Sequence, residues 1–200
     1  MSANRVMKSV TSWLERKLFL KVSATKTKVV RPDNSNFLGF TFWKSDERWK
    51  CKPSGDRKKK LYEKIKAVLK RGQARSRPLA DTFIKLNQII RGWINYFRIG
   101  RMKGFIDKFG QWMRHKVRVV IFMQWKKPMR IYKNLQRLNR LFNCNFSHED
   151  IFKVANSRLG WYRKCSGYVV NFLLSPKVLA IKKKDRPGLV NPLKYYLSYS

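Results

Sequence analysis

Asn87, Arg91, Asn95 and Arg98 recur at spacings of four, four and three, which lines up two amide forks and two guanidinium forks along one helix. Such forks pair with phosphate oxygens and base edges. A solvated helix face carries the same residue types, so this stripe by itself leaves both a binding face and a solvated face open. Comparable stripes recur downstream. Lys108, Gln111, His115 and Arg118 share one, with Arg114 beside it, and Arg130, Lys133, Arg137 and Arg140 share the next. Farther on, NSRLGWYRKCSGY sets Arg158, Trp161, Tyr162 and Arg163 among glycines. These types stack on bases and pair with phosphates, although core packing accounts for Trp161 equally well.

Groupings suited to bond-breaking chemistry are scarce. Two-metal phosphoryl or nucleotidyl transfer needs clustered carboxylates, and the adjacent acidic pairs are Asp46 with Glu47 in a turn and Glu149 with Asp150 at a helix start. The sequence contains no Walker-type glycine loop, no nucleophile elbow and no H-E-x-x-H. His115 and His148 are too few for a metal site without helping cysteines. Cys51, Cys144 and Cys165 stand far apart, which fits reduced thiols in a cytoplasm better than a disulfide framework or a zinc site. Composition alone favours a binding module.

The charge balance points to its partner. There are 47 Lys plus Arg against 11 Asp plus Glu, a formal net charge of +36 over 200 residues. Self-repulsion of that size is tolerated when a polyanion neutralises it, so nucleic acid leads, with ribosomal or tRNA-type RNA fitting as well as any other. From Thr82 to His148 fifteen cations face one acid, Asp107. A membrane surface fits less well, because the cations are interleaved with Trp and Tyr along several helices. The N-terminus has no apolar signal core and no apolar run is long enough to span a bilayer, so a cytoplasmic location is expected.

The elements that must position these residues follow from periodicity. Val6, Val10, Trp13, Leu14 and Leu18 predict an amphipathic helix over 2–18 that needs a partner surface. LFLKV and KVVRP, ended by Pro32, read as edge strands. FLGFTFW (37–43) and RWKCK (48–52) read as a hairpin joined by Lys44, Ser45, Asp46 and Glu47. Gly39 within the first run marks either a bulge or the close approach of a ligand chain. A helix after Pro53 and Ser54 has Leu61, Ile65, Val68 and Leu69 as its seam and Arg57, Lys58, Lys59, Lys60, Lys64 and Lys66 outside, with Gly72 ending it. GQARSRP reads as a linker. Leu79, Phe83, Leu86, Ile90, Trp93 and Phe97 form the seam of the helix over 79–100. Ile106, Phe109, Met113, Val117 and Val120 line a helix over 105–125, and Ile131, Leu135, Leu138 and Phe142 face inward after Pro128. Ser147 with Asp150 predicts a capped helix start that leaves His148 on the surface. Ser175 and Pro176 start a short helix, KKKDRPG is a loop, and Asn191 and Pro192 open a terminal helix holding Tyr195, Tyr196 and Leu197.

Several segments occur in a recognisable order: ANRVMKSVTSWLERKLFLKVSATKTKVVRP, FLGFTF, LNQIIRGWINYFR, ANSRLGWYR and LSPKVL. From about Ala3 onward this order resembles the C-terminal part of a bacterial group II intron reverse transcriptase/maturase, most nearly of the class C type. The resemblance implies that the stretch with Lys26 and Lys28 is late palm, and that Phe37, Leu38, Gly39 and Phe40 are the turn that grips a primer. It implies that the helices from Pro78 to Phe142 are the thumb, or maturase-specific domain, and that Asn156 onward assists RNA or target DNA binding. In the family, the two aspartates of a Tyr-x-Asp-Asp strand hold catalytic magnesium and lie shortly before the segment that begins this chain. That motif and the Cys/His zinc endonuclease of some relatives are absent from the sequence, which implies no polymerase activity, no cofactor and a truncated or split reading frame.

The expected fold is α+β: a palm remnant with a β-hairpin over 1–53, a helical thumb over 54–143 and a basic helical extension over 144–200. The expected function is binding of structured group II intron RNA to assist splicing, with target DNA or an RNA/DNA duplex as a further partner. Phosphate and base contacts are assigned to Lys26, Lys28, Arg91, Asn95, Arg98, Arg101, Lys103, Arg114, Arg118, Arg130, Arg137, Arg140, Arg158, Trp161 and Arg163. The alternatives are the downstream half of a split RNA-directed DNA polymerase working with an upstream reverse-transcriptase half, a remnant without function, and a ribosome-associated basic protein.

Overall fold

The computed structural model describes residues 2–182 and 187–199. The fold is α+β, and residue contacts group it into two units, Met1–Ser54 and Gly55–Ser200. The loop expected over KKKDRPG lies in part outside the described residues, at 183–186.

In the first unit, helix α1 (Ser2–Leu18) forms as its periodicity predicts, and none of its residues is buried. Val6, Val10, Trp13 and Leu18 leave an apolar face exposed. The two edge strands expected at LFLKV and KVVRP do not form: residues 19–31 are loop and turn, followed by a 3₁₀ turn at Pro32–Asn34. β-branched residues extend into a strand when a neighbouring edge supplies the ladder, and none pairs with Val29 or Val30, which remain exposed.

The sheet is β1 (Asn36–Phe37), β2 (Phe40–Ser45) and β3 (Arg48–Pro53), antiparallel in the order β1-β2-β3. Ser45 pairs with Arg48, so the loop between β2 and β3 is Asp46 and Glu47 alone, with Lys44 and Ser45 in the strand. Both loop residues have positive φ, 51° and 60°, the geometry that matches the twist of paired strands. Lys50 donates to Asp46 at 2.8 Å across it. Gly39 lies outside any strand. Phe37 pairs with Phe40, and Leu38 and Gly39 (φ 52° and 85°) make the second two-residue turn, a conformation that glycine adopts without strain. The turn geometry accounts for the glycine without a bulge.

The second unit is helical. In α2 (Gly55–Val68) Leu61 and Ile65 are buried, and Tyr62 meets Phe105, Phe109 and Trp112 edge-on at 6.1, 5.4 and 4.7 Å. The stretch expected to be a linker is instead a helix, α3 (Arg71–Ser76), with Gly72 inside it. Its polar composition hides two tertiary anchors. Ala74 is buried, and Gln124 donates to the carbonyls of Ala74 and Arg77 at 3.0 and 2.9 Å, satisfying the end of the helix.

Helix α4 (Leu79–Phe97) buries Phe83, Leu86, Ile90, Ile94 and Phe97. The seam is therefore rotated from the expected one: Ile94 is 1% exposed, and Trp93 is only half-buried at its edge. Helix α5 (Lys103–Trp125) is the central element, and all five residues of its predicted core face are buried. Helix α6 (Pro128–Leu141) faces Ile131 and Leu135 inward, whereas Phe142 follows the helix end and is 38% exposed. Helix α7 (His148–Asn156) starts with the predicted cap: the Ser147 hydroxyl accepts from the Asp150 N–H at 3.1 Å and donates to its carboxylate at 2.7 Å. Short helices α8 (Trp161–Lys164), α9 (Tyr168–Leu173), α10 (Pro176–Leu179) and α11 (Pro192–Leu197) complete the unit. Helix α7 packs on α6, α8 on α5, and α11 on both α4 and α5.

Candidate nucleic-acid interface

The polar stripe of α4 has two fates. Asn87 is buried rather than displayed: its Nδ2 donates to the Gly188 carbonyl at 2.8 Å and its Oδ1 accepts from the Val190 N–H at 2.8 Å. This clamp brings 188–190 against α4 just ahead of α11. A side chain at Gly188 would collide with the Ala180 carbonyl, 2.0 Å from where its Cβ would stand, so the close passage requires glycine.

Arg91, Asn95 and Arg98 do stay at the surface, and α11 brings a row of tyrosines to them. The Arg91 guanidinium lies 5.7 Å from the Tyr195 ring centre and that of Arg98 5.4 Å from Tyr199. Tyr195 donates to Asn95 Oδ1 at 3.0 Å, Tyr199 donates to Tyr195 at 2.9 Å, and Tyr196 donates to the Gly100 carbonyl at 3.2 Å. The hydrogen bond to Tyr195 raises the Tyr199 hydroxyl above its ordinary pKa. An arginine stacked on a ring keeps its N–H edge for phosphate oxygens, and the ring fixes its orientation. Arg101 and Lys103 follow directly and are exposed. Arg114 is half-buried on α5; burial lowers its pKa and Asp107 opposes the shift.

Arg130, Arg137 and Arg140 are exposed along α6, and Arg158 and Arg163 are exposed around α8. Trp161 is half-buried with the Lys164 ammonium 5.5 Å from its ring, and Lys164 donates to the Ala155 carbonyl at 3.1 Å. Tyr162 packs edge-on against His115 at 4.1 Å, with Lys116 at 5.0 Å. Burial first, then the charges of Arg118 and Lys116, hold His115 below its ordinary pKa, so it is neutral at pH 7. In the first unit Lys26 and Lys28 are exposed, and the Phe37–Phe40 turn exposes Phe37 and Leu38 while burying Gly39 and Phe40. The predicted residues thus fall into a cluster at α4 and α11, a stripe on α6, a group at α8 and two positions in the other unit.

Arg118 does not belong with them. It is 7% exposed, and it donates to the Leu174 carbonyl at 3.0 Å, to the Asn171 carbonyl at 3.2 Å and to Asn171 Oδ1. Burial, with the charge of Arg114 adding to it, lowers its pKa to about 10, so it is still a cation at neutral pH. The cause is local: no residue of α5 from 112 to 125 is exposed, so a polar side chain there meets protein before solvent.

Cys165 lies close to this arginine and is fully buried. Burial pushes its thiol up to about 12 against the opposing pull of Arg118 and Lys164. An unfolded thiol ionises near ~8.5. Between those values the unfolded chain has lost a proton that the folded chain keeps, so stability falls as pH rises through that window. A thiol reagent at mildly alkaline pH should therefore modify the part-exposed Cys51 and Cys144 and reach Cys165 only in denaturant; rapid modification of Cys165 in the folded chain would contradict its burial.

No three His, Cys, Asp or Glu side chains converge among the described residues. No helix among the described residues is long and apolar enough to cross a membrane. Residues 58–139 match the family model of the group II intron, maturase-specific domain. Over that stretch the chain is similar to a maturase-specific domain. A comparison with curated proteins found no match. The maturase-specific domain relates the chain to group II intron splicing, and its matched stretch runs from α2 nearly to the end of α6. It includes Arg91, Asn95 and Arg98 but not α11. Tyr195 and Tyr196 were visible in the sequence as residues of a terminal helix, and Tyr199, just beyond the end of α11, was not singled out; its position four residues after Tyr195, one helical turn on, was the available signal.

Proposed function

We propose that this chain binds structured group II intron RNA and helps it reach the fold in which the RNA itself performs splicing. The observation that carries this reading is a coincidence of two stretches. The residues matched by the maturase-specific domain overlap the stretch from Thr82 to His148, in which fifteen cations face one acid. Docking is electrostatic: arginines held over tyrosines at α4 and α11, together with Arg101, Lys103 and the α6 stripe, replace counterions on the phosphates. Sequence-independent attraction alone does not choose an intron, so shape recognition of folded RNA supplies the selectivity. Polymerase chemistry is not assigned to these residues.

The test is splicing of a group II intron precursor at a magnesium concentration too low for the RNA to splice alone. Added protein should accelerate it, and should bind the intron more tightly than an unrelated structured RNA at matched salt. Equal binding of both RNAs without acceleration would overturn the reading. One observation favours a second reading, a joint action with an upstream reverse-transcriptase half: the apolar face of α1, with Val6, Val10, Trp13 and Leu18 exposed, is suited to a further protein surface.

A further inference from the structure

Helix α4 has a second exposed strip, turned towards α2. Gln88, Gly92 and Tyr96 recur at intervals of four along it, and opposite them α2 presents Lys60 and Lys64, also four apart. Between the two helices lies a groove of about 520 Å³, the size of a small-ligand cleft. Arg57 stands at one end and Trp93 forms part of the wall, its ring packed on Phe97 at 4.6 Å and Phe105 at 5.5 Å.

One detail of this groove is unexplained by packing within the protein. Gly92 sits in the middle of a helix, where glycine is the poorest ordinary residue, yet a Cβ placed on it would meet nothing within 4 Å. No neighbour within the unit requires the bare backbone. A ligand strand passing close to it would.

We infer that the groove between α2 and α4 holds a short single-stranded stretch of RNA, with phosphates over Lys60 and Lys64 and a base against Tyr96. The inference rests on the RNA-binding reading above and adds a site that the α4 and α11 cluster does not contain. The groove combines the parts that single-strand binding uses: cations that track a backbone, an exposed aromatic ring for a base face, and an amide fork, Gln88, for a base edge. Two helices packed side by side leave room for a strand and exclude a duplex.

The test uses a fluorescein-labelled oligouridylate and the whole chain. The variant combining Lys60→Gln, Lys64→Gln and Tyr96→Leu should lose at least about five-fold in affinity, the smallest effect expected of one lost base stack. Gly92→Ala and Gly92→Leu should melt at or above the unaltered chain, because both residues favour a helix over glycine, and should weaken oligouridylate binding in order of size. Unchanged affinity in the triple variant or in Gly92→Leu, at a retained melting temperature, overturns the groove site. If intron RNA binding persists and is still lost on Arg91→Gln with Arg98→Gln, the wider reading stands without the groove. If the unaltered chain binds neither RNA, that reading fails with it.

Discussion

Replacing Arg91, Arg98, Arg101 and Lys103 together by Gln should lower intron RNA affinity by about a thousand-fold near ~0.1 M salt. The estimate follows from counterion release: each neutralised phosphate contributes roughly 0.7–0.9 to the slope of log affinity against log salt. Four contacts then remove about three units of slope, which also sets the loss at that salt. All four residues are exposed, Arg91 on the outer face of α4 and the other three where α4 turns into α5, so their removal exposes no core. The folded chain should melt no lower than before, because four like charges leave an acid-poor surface. A titration over a range of salt concentrations checks both halves. A slope that does not change would remove these residues from the interface, whatever happens to affinity at a single salt concentration.

Arg118→Ala should do the opposite, leaving the salt slope alone and reducing stability by about 3–5 kcal/mol. The substitution strands the carbonyls of Leu174 and Asn171 and the Asn171 side-chain oxygen, and empties the space the guanidinium fills beside Cys165. For a chain of this size the loss corresponds to a fall in melting temperature of roughly 10 °C or more. Arg118→Lys should recover only part of it, since an ammonium cannot span a side-chain oxygen and two carbonyls with a planar fork. Thermal melts of the two variants, each paired with a salt titration below the transition, separate the roles. An Arg118→Ala chain that melts normally and loses about one unit of slope would return Arg118 to the phosphate contacts.

The two predictions divide residues that look identical in the sequence. Arg101 and Arg118 stand in one acid-poor stretch, and nothing local distinguishes them. The same is true of Asn87 and Asn95. One clamps the backbone at Gly188 from inside, and the other accepts a hydrogen bond from Tyr195 at the surface. In each case the deciding contact comes from a segment far along the chain, 101 positions away for Asn87 and 56 for Arg118 and Leu174.

Helix α1, the core face of α5, the pairing of β2 with β3 and the Ser147 cap were legible because each depends on residues a few positions apart, whereas packing rotated the seam of α4 and left Phe142 outside that of α6. Periodicity and capping act within a turn or two. The strands expected near residues 18–32 failed because a strand needs a partner edge, and α3 was missed because its anchors, Ala74 and Gln124, lie 50 positions apart. The excess of cations over acids, and with it the kind of partner, was determined by the sequence alone, since no arrangement of 47 cations and 11 acids can neutralise itself. Which of those cations face that partner was decided only by the tertiary structure, because a helix has several polar sides and packing chooses which one meets water.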